Sequence, residues 1–367
     1  MEKFYKLYDY AKQHCAIYKD TKNNNIPSID HYTYNDSIYD IISDEFDSKL
    51  IKTLRRFTFI NLEGFLQCFY WRSQDIGKSI LQLYKIRNKL YGISKNDKCC
   101  CTHEYMPDGR QLHNNERFVL MSNCLSINSH ISNMNELESC AKNIFDFSPS
   151  WALLPSFFLV KLYETLNKEN KKINLKVIEY FGTRIEESLK KRIEEFFSCK
   201  IVYLFGIQYS VAAYQISDEI LAINKESAFI LKDPDNLDRL KITALNSFAC
   251  PIINYLHSVQ DDIVLLNEKE LRIFPSNVKV DWDYELVKNT IHQILLKTNN
   301  KIFDSLAQVI IDDKLIYIKI KPKYFLWKDI ALKEIKSEIN KINIGKYRGK
   351  IFEVILEKFK DGKEGKN

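Results

Sequence analysis

Ile178-Glu-Tyr-Phe-Gly-Thr183, then a helical segment, then Cys199-Lys-Ile-Val-Tyr-Leu-Phe-Gly-Ile-Gln-Tyr209 decide how this chain folds. Leu175 to Phe181 is an apolar and aromatic run of strand length. Thr183-Arg-Ile-Glu186 has the spacing of a capping box, in which the threonine hydroxyl and the glutamate carboxylate each satisfy an unpaired N–H at a helix start. Ile185, Leu189, Ile193 and Phe196 recur at helical spacing and supply a buried face. Lys200 to Phe205 reads as the next strand. A strand, a helix of roughly four turns and a second strand form a βαβ crossover, which calls for a parallel sheet covered by helices. Ligands of such sheets sit beyond the carboxyl ends of the strands. Phe205 to Tyr209 therefore falls where a ligand is expected.

Outward from this core, Phe4, Leu7, Tyr8, Ala11, Cys15 and Tyr18 share one face of a predicted helix over 3–18, closed by the polar loop Lys22 to Asn25. A second helix is predicted over about 73–90. From about 275 the texture changes. Ala307 to Ile311 and Leu315 to Ile320 flank Asp312-Asp313 as a hairpin. Ile330, Ile335, Ile339 and Ile342 mark a helix, and Ile351 to Leu356 a last strand. The fold class expected is α/β, with a large N-terminal domain of covered, largely parallel sheets (1–274) and a small C-terminal α+β domain (275–357). The boundary is placed at Phe274-Pro275, and residues 358–367 read as a flexible basic tail.

Apolar residues make up 45% of the 367, with 22 Phe and 21 Tyr, enough for a substantial core and against disorder. No run approaches ~20 uninterrupted apolar residues and the start has no signal-peptide core, so no membrane insertion is expected. Nine cysteines without a secretion signal point to reduced thiols and a cytoplasmic location. The net charge of +6 is modest, and its lysine-rich faces read as solvated surface, so no nucleic-acid partner is expected. Ten glycines in 367 residues are fewer than half the usual share of about 7%. Phosphate-cradling loops need glycine for tight turns and close backbone approach, and neither G-x-x-x-x-G-K-[ST] nor G-x-G-x-x-G occurs.

Cys99-Cys100-Cys101-x-His103, with His113 and Cys124 downstream, is a candidate metal motif. Consecutive strand residues alternate sides, so at most Cys99, Cys101 and His103 share a face, an incomplete ligand set. The thiols read instead as apolar residues of a buried strand, and no metal site is expected. No Ser/His/Asp order or paired-cysteine motif stands out. Glu186-Glu187 and Glu194-Glu195 read as solvated helix surface.

Together with Lys241-Ile-Thr-Ala-Leu-Asn246 and Pro251-Ile-Ile-Asn-Tyr255, the 178–209 stretch resembles, in order and spacing, the core motifs of the adenylate-forming ligases, in particular the phenylacetate-CoA ligase branch. Leu7 to Tyr18 is similar to that family's N-terminal element. The resemblance implies an adenylation-type core domain and a mobile C-terminal lid. It also implies chemistry that joins a carboxylic acid to AMP with ATP and Mg²⁺, then passes the acyl group to a thiol or other nucleophile.

The sequence departs from that pattern at the nucleotide motifs. Counting back from Trp71 and Asp75, the family's Ser/Thr/Gly-rich phosphate loop falls on Phe59-Ile-Asn-Leu-Glu-Gly64, where only Gly64 is kept. Glu63 would repel phosphate, and 57–70 reads as a packed strand and turn. The adenine and magnesium motif falls on Phe205-Gly206-Ile207-Gln208-Tyr209. There Phe205 retains an aromatic face for adenine, while Tyr209 stands in place of the magnesium-binding glutamate. A neutral phenol is a poor ligand for a hard cation. In the ribose motif Asn254 replaces an arginine, Ser258-Val259 replace Gly-Asp, and Asp261 is the nearest candidate for the ribose hydroxyls. Lys363, after Gly362, is the match to the catalytic lysine that neutralises charge during adenylation. The cysteine and histidine zinc ligands of many relatives have no counterpart in 215–224.

These departures lead to an expected ligase-like protein with weakened or lost carboxylate activation and a binding or scaffold role in biosynthesis. Its expected partners are an acyl ligand or carboxylic acid, a carrier protein or a partner ligase. The alternative is an active AMP-forming ligase or an acyltransferase with a rearranged ATP site. ATP and Mg²⁺ are cofactors only in the active case.

Overall fold

The computed structural model describes the chain except residues 22–25, 31–32, 35–37, 47–49, 51–53, 61–65, 95, 106–110, 113–122, 129–130, 208–209, 237–238, 259–262, 299–307, 313–314, 321–327 and 359–367. It opens with α1 (Glu2–His14), which buries Phe4, Leu7, Tyr8 and Ala11. Cys15 then turns extended, and a 3₁₀ turn at Ala16–Tyr18 buries Tyr18. The apolar face expected over 3–18 is thus buried as read, but the helix itself stops at His14. After α2 (Ile38–Ile41), β1 (Arg55–Ile60) and β2 (Leu66–Trp71) pair antiparallel, from Arg55↔Trp71 to Ile60↔Leu66. The helix expected near 73–90 is α3 (Ser73–Tyr91), which ends on Gly92 at φ 61°.

The central sheet begins with β3 (Cys99–Tyr105), β4 (Gln111–Leu112), β5 (Cys124–Asn128), β6 (Trp151–Pro155), β7 (Val177–Phe181) and β8 (Lys200–Ile207). It continues with β9 (Ser210–Gln215) and β10 (Ile220–Ile223). A separate three-stranded antiparallel sheet, β11 (Ala228–Lys232), β12 (Arg239–Ala244) and β13 (Tyr255–Ser258), intervenes. Then β14 (Ile263–Asn267) and β15 (Glu270–Ile273) complete the central sheet. Its order is β14-β15-β10-β9-β8-β7-β6-β3-β4, with β5 also pairing with β3. β5, β3, β6, β7 and β8 run parallel, and the flanking pairs are antiparallel.

Helices α4 (Met134–Phe147), α5 (Ser156–Lys168) and α6 (Glu187–Phe197) connect β5, β6, β7 and β8 in turn. Side chains alternate along the strands. Ala152, Leu154, Ile178, Tyr180 and Ile201 join the larger core, with Leu137, Leu162 and Ile193 from these helices. Trp151, Leu153, Val177, Val202 and Leu204 point to the opposite face and meet Leu83 of α3. The sheet is therefore covered on both sides, as the crossover requires.

The capping box expected at Thr183–Glu186 does not form. Helix α6 starts at Glu187, and Glu186 at its N-cap makes no side-chain cap. Thr183 instead hydrogen-bonds Glu285. A tertiary partner has taken the local donor, and Gly182 at φ 91° turns the chain away first.

Helix α7 (Trp282–Thr298) was not predicted. Val287, Ile291, Ile294 and Leu295 are buried at helical spacing, while Lys288, Thr290, His292 and Gln293 interrupt its apolar pattern although they too are buried. It packs against α5 and against α8 (Lys328–Ile339). The expected hairpin is β16 (Gln308–Asp312) with β17 (Leu315–Ile320), and β18 (Glu353–Lys358) adds parallel to β17. No described helix is long and apolar enough to cross a membrane.

Candidate functional site

Three parallel strands, β6, β7 and β8, end close together, and the residues just beyond them define the candidate site. Ser156 follows β6 and is buried. Gly182 follows β7 at φ 91°, a backbone conformation that excludes most side chains. The Tyr203 hydroxyl on β8 donates to the Gly182 carbonyl at 3.4 Å. Arg184 lies over the Tyr203 ring, 5.3 Å from its centroid, and donates to the Phe274 carbonyl at 3.0 Å.

The chain's own 274–290 segment crosses these strand ends. Glu187 N–H donates to the Ser276 carbonyl at 2.9 Å. Thr183 Oγ1 donates to Glu285 Oε2 at 3.3 Å, and Lys288 Nζ to Glu285 Oε1 at 2.8 Å. Thr290 Oγ1 reaches the Ile131 carbonyl, beyond β5, at 3.0 Å. Lys161 on α5 is held by Asp283 at 2.6 Å and Glu164 at 2.8 Å. Burial pulls the Lys161 pKa down, but these two carboxylates more than offset it and leave it above the usual lysine value. Sequence reasoning missed Arg184, Glu285 and Lys288. The only sequence signal was the i,i+3 spacing of the last two, inside a helix that had not been recognised.

Of the residues singled out from the sequence, Phe205, Gly206 and Asn254 are described. Phe205 is 2% exposed, and its ring meets the His257 ring edge-on at 5.1 Å. Gly206 sits at a bulge where β8 pairs with β9, and a Cβ there would lie 2.2 Å from the Ser210 carbonyl oxygen. Asn254 has φ 51°. Its N–H donates to Thr243 Oγ1 at 3.0 Å, and its carbonyl accepts from Ile29 N–H at 3.2 Å. The structure brings the 205–206 and 251–257 motifs together through the Phe205–His257 contact, a role for His257 that nothing in the sequence announced. Gly64, Gln208, Tyr209, Asp261 and Lys363 lie outside the described residues.

Trp71 and Asp75, the markers used to place the phosphate loop, are both buried. Arg72 grips the Asp75 carboxylate through Nε at 2.6 Å and Nη2 at 3.0 Å. Burial still pushes the Asp75 carboxyl above the ordinary aspartate range despite that pairing.

Because the Gly206 contact is with backbone, Gly206→Ala is expected to disturb the β8–β9 pairing, costing about 1–3 kcal/mol as overpacking does. A lowered thermal midpoint in the variant checks this. An unchanged midpoint would mean that the pairing relaxes freely.

No protein-family model matches this sequence, and no curated protein matches it. Solved structures do. The thioesterification state of 2-hydroxyisobutyryl-CoA ligase, with its acyl adenylate and CoA, is 12% identical. It matches over 100% of this chain and 87% of that one, with a TM-score of 0.57. The same enzyme's postadenylation state is 13% identical over 97% of this chain and 85% of that one, with a TM-score of 0.55. The fold of this chain is that of the adenylate-forming ligases.

Proposed function

We propose that this chain keeps the ligase fold while its ATP-dependent carboxylate activation is weakened or lost. On this reading it serves a biosynthetic pathway as a binding or scaffold component. The observation that carries this reading is Phe205. An aromatic ring can serve as an adenine platform only if a face is open to the base, and this ring is 2% exposed with His257 against it. Asn254 supports the same reading, since its backbone amide and carbonyl are both tied into the fold. The sequence adds Tyr209 in place of a magnesium-binding carboxylate and a phosphate-loop segment in which only Gly64 is kept. The described residues therefore fit ATP–Mg²⁺ poorly.

The fold neighbours are complexes with an acyl adenylate and CoA. An acyl ligand, a carrier protein or a partner ligase is the corresponding chemistry for this chain. The domain division at Phe274-Pro275, with 275–357 as a lid-like unit, belongs to the same proposal.

The test is calorimetry and thermal-shift titration with ATP–Mg²⁺ and with AMP. A ligand that binds only the folded state stabilises it by RT ln(1 + [L]/Kd), about 2.7 kcal/mol at a hundred times Kd. The expected result is no saturable heat and no shift at millimolar nucleotide. Saturable binding would instead support a working AMP-forming ligase with a rearranged site. In that case Asp261→Ala and Lys363→Ala should each abolish pyrophosphate exchange.

A further inference from the structure

The cysteine run at the start of β3 is arranged differently from the sequence expectation. Cys99 and Cys101 do share a face, but the third group that joins them is Cys124, the first residue of β5. β3 and β5 pair in parallel with Cys99 opposite Cys124. All three sulfurs lie within 4.8 Å of one another, and Cys101 Sγ is 3.2 Å from Cys124 Sγ. Cys100 points to the opposite core. Among the described residues these three thiols hydrogen-bond only to each other.

We propose that Cys99, Cys101 and Cys124 form a three-thiolate site for zinc(II), with the fourth position taken by water or a small ligand arriving beside Cys124. Sulfurs about 2.3 Å from a tetrahedral zinc are about 3.8 Å apart, so only small side-chain movements separate this arrangement from a coordinated one. Cys99 and Cys101 are fully buried, while Cys124 is half-buried next to the exposed Asn123, which leaves the ion a path in. Thiolate is the donor that thiophilic zinc prefers. Binding one Zn²⁺ releases three protons from three thiols and leaves a complex of net charge −1.

A disulfide would engage only two of the three thiols, and the pair that could form one is Cys99 with Cys124, which stand opposite in register at a strand spacing of about 4.8 Å. Cys101 and Cys124, whose sulfurs are 3.2 Å apart, are diagonal neighbours two residues out of register. From strand spacing and rise their Cα atoms are about 8 Å apart, beyond the roughly 7 Å limit for a bridge. The site lies at the amino ends of the parallel strands, opposite the strand ends that carry the candidate ligand site. It is thus a clasp between β3 and β5, and it does not rest on the functional reading above.

The test uses the full chain, purified reduced and without chelator. Elemental analysis should find one zinc per chain. After stripping, cobalt(II) titration should give a thiolate-to-cobalt charge-transfer band saturating at one equivalent. Cys101→Ala and Cys124→Ala should each weaken binding at least ~100-fold, the upper end of what even outer-shell losses cause. Cys199→Ala, outside the cluster, should leave it unchanged. Should the Cys101 variant fail to fold, zinc protection of Cys124 against alkylation in the unaltered chain gives the same reading, with labelling at least tenfold slower. The proposal is overturned if all nine thiols titrate and no cobalt band forms, or by a band that survives Cys124→Ala. A mass lighter by two hydrogens that maps to a disulfide within the trio would overturn it as well.

Discussion

Glu179→Leu is expected to destabilise the fold by roughly 3–5 kcal/mol, the loss found when one partner of a buried ion pair is removed. Glu179 sits mid-strand in β7 and is fully buried, and Arg87 of α3 reaches it from the covering helix. Arg87 Nη2 lies 2.6 Å from Glu179 Oε2, and its Nε lies 2.7 Å from Oε1. The Tyr214 hydroxyl on β9 donates to Oε1 at 2.7 Å. The Arg87 guanidinium also stacks on Trp151, 4.7 Å from the ring centroid. Removing the carboxylate leaves a buried cation and takes from the Tyr214 hydroxyl its carboxylate acceptor, with only the Tyr91 hydroxyl still beside it. Removing both charges is a different experiment. Arg87→Leu combined with Glu179→Leu should lie closer to the parent than either single change, because apolar packing often replaces a buried pair without loss. Denaturant midpoints for all three variants decide this. A double variant as unstable as the sum of the singles would mean that the two charges are not energetically coupled.

The crossover at 175–207 was legible because strand alternation and helical spacing both act locally, and the sheet it builds is covered on both faces as such strands demand. The hairpin around Asp312 and the helix carrying Ile335 and Ile339 were legible for the same reason. What failed depended on partners far along the chain. The Thr183 hydroxyl could not be assigned locally because Glu285, 102 residues away, competes for it. Cys124 lies 23 residues from Cys101 and joins it only through the parallel register of β3 with β5, which no spacing rule encodes. Nor does Glu179 look unusual inside Ile178-Glu-Tyr-Phe. Its meaning comes from Arg87, in a helix laid across the sheet. Of the candidate ligand site, the strand ends were foreseen, while the 274–290 segment crossing them was not, because α7 buries the polar Lys288, Thr290, His292 and Gln293 among its apolar residues. A chain that covers the mouth of its own sheet in this way is consistent with the proposed loss of nucleotide chemistry.

Acidification is expected to expose a second weak point, His292 on α7. It is 3% exposed, and its Nε2 has no hydrogen-bond partner among the described residues. Burial pushes its pKa down to about 3, from an ordinary value of 6.5. The native state therefore keeps this imidazole neutral, while the unfolded chain takes up a proton below 6.5. Stability from this group is complete above about pH 6.5 and is lost as pH falls toward 3. The slope is close to 1.4 kcal/mol per pH unit and the whole window amounts to something of order 5 kcal/mol. Carboxylates titrate in the lower half of that window, so the clean interval is pH 6.5 to 5. His292→Leu should flatten the pH dependence of the denaturant midpoint there relative to the parent, whatever it does to stability at pH 7. If both proteins lost stability in parallel between pH 6.5 and 5, some other group would be responsible. A flattened slope would assign this acid sensitivity to His292 on α7, the helix whose own residues bond to the segments that follow β5 and β7.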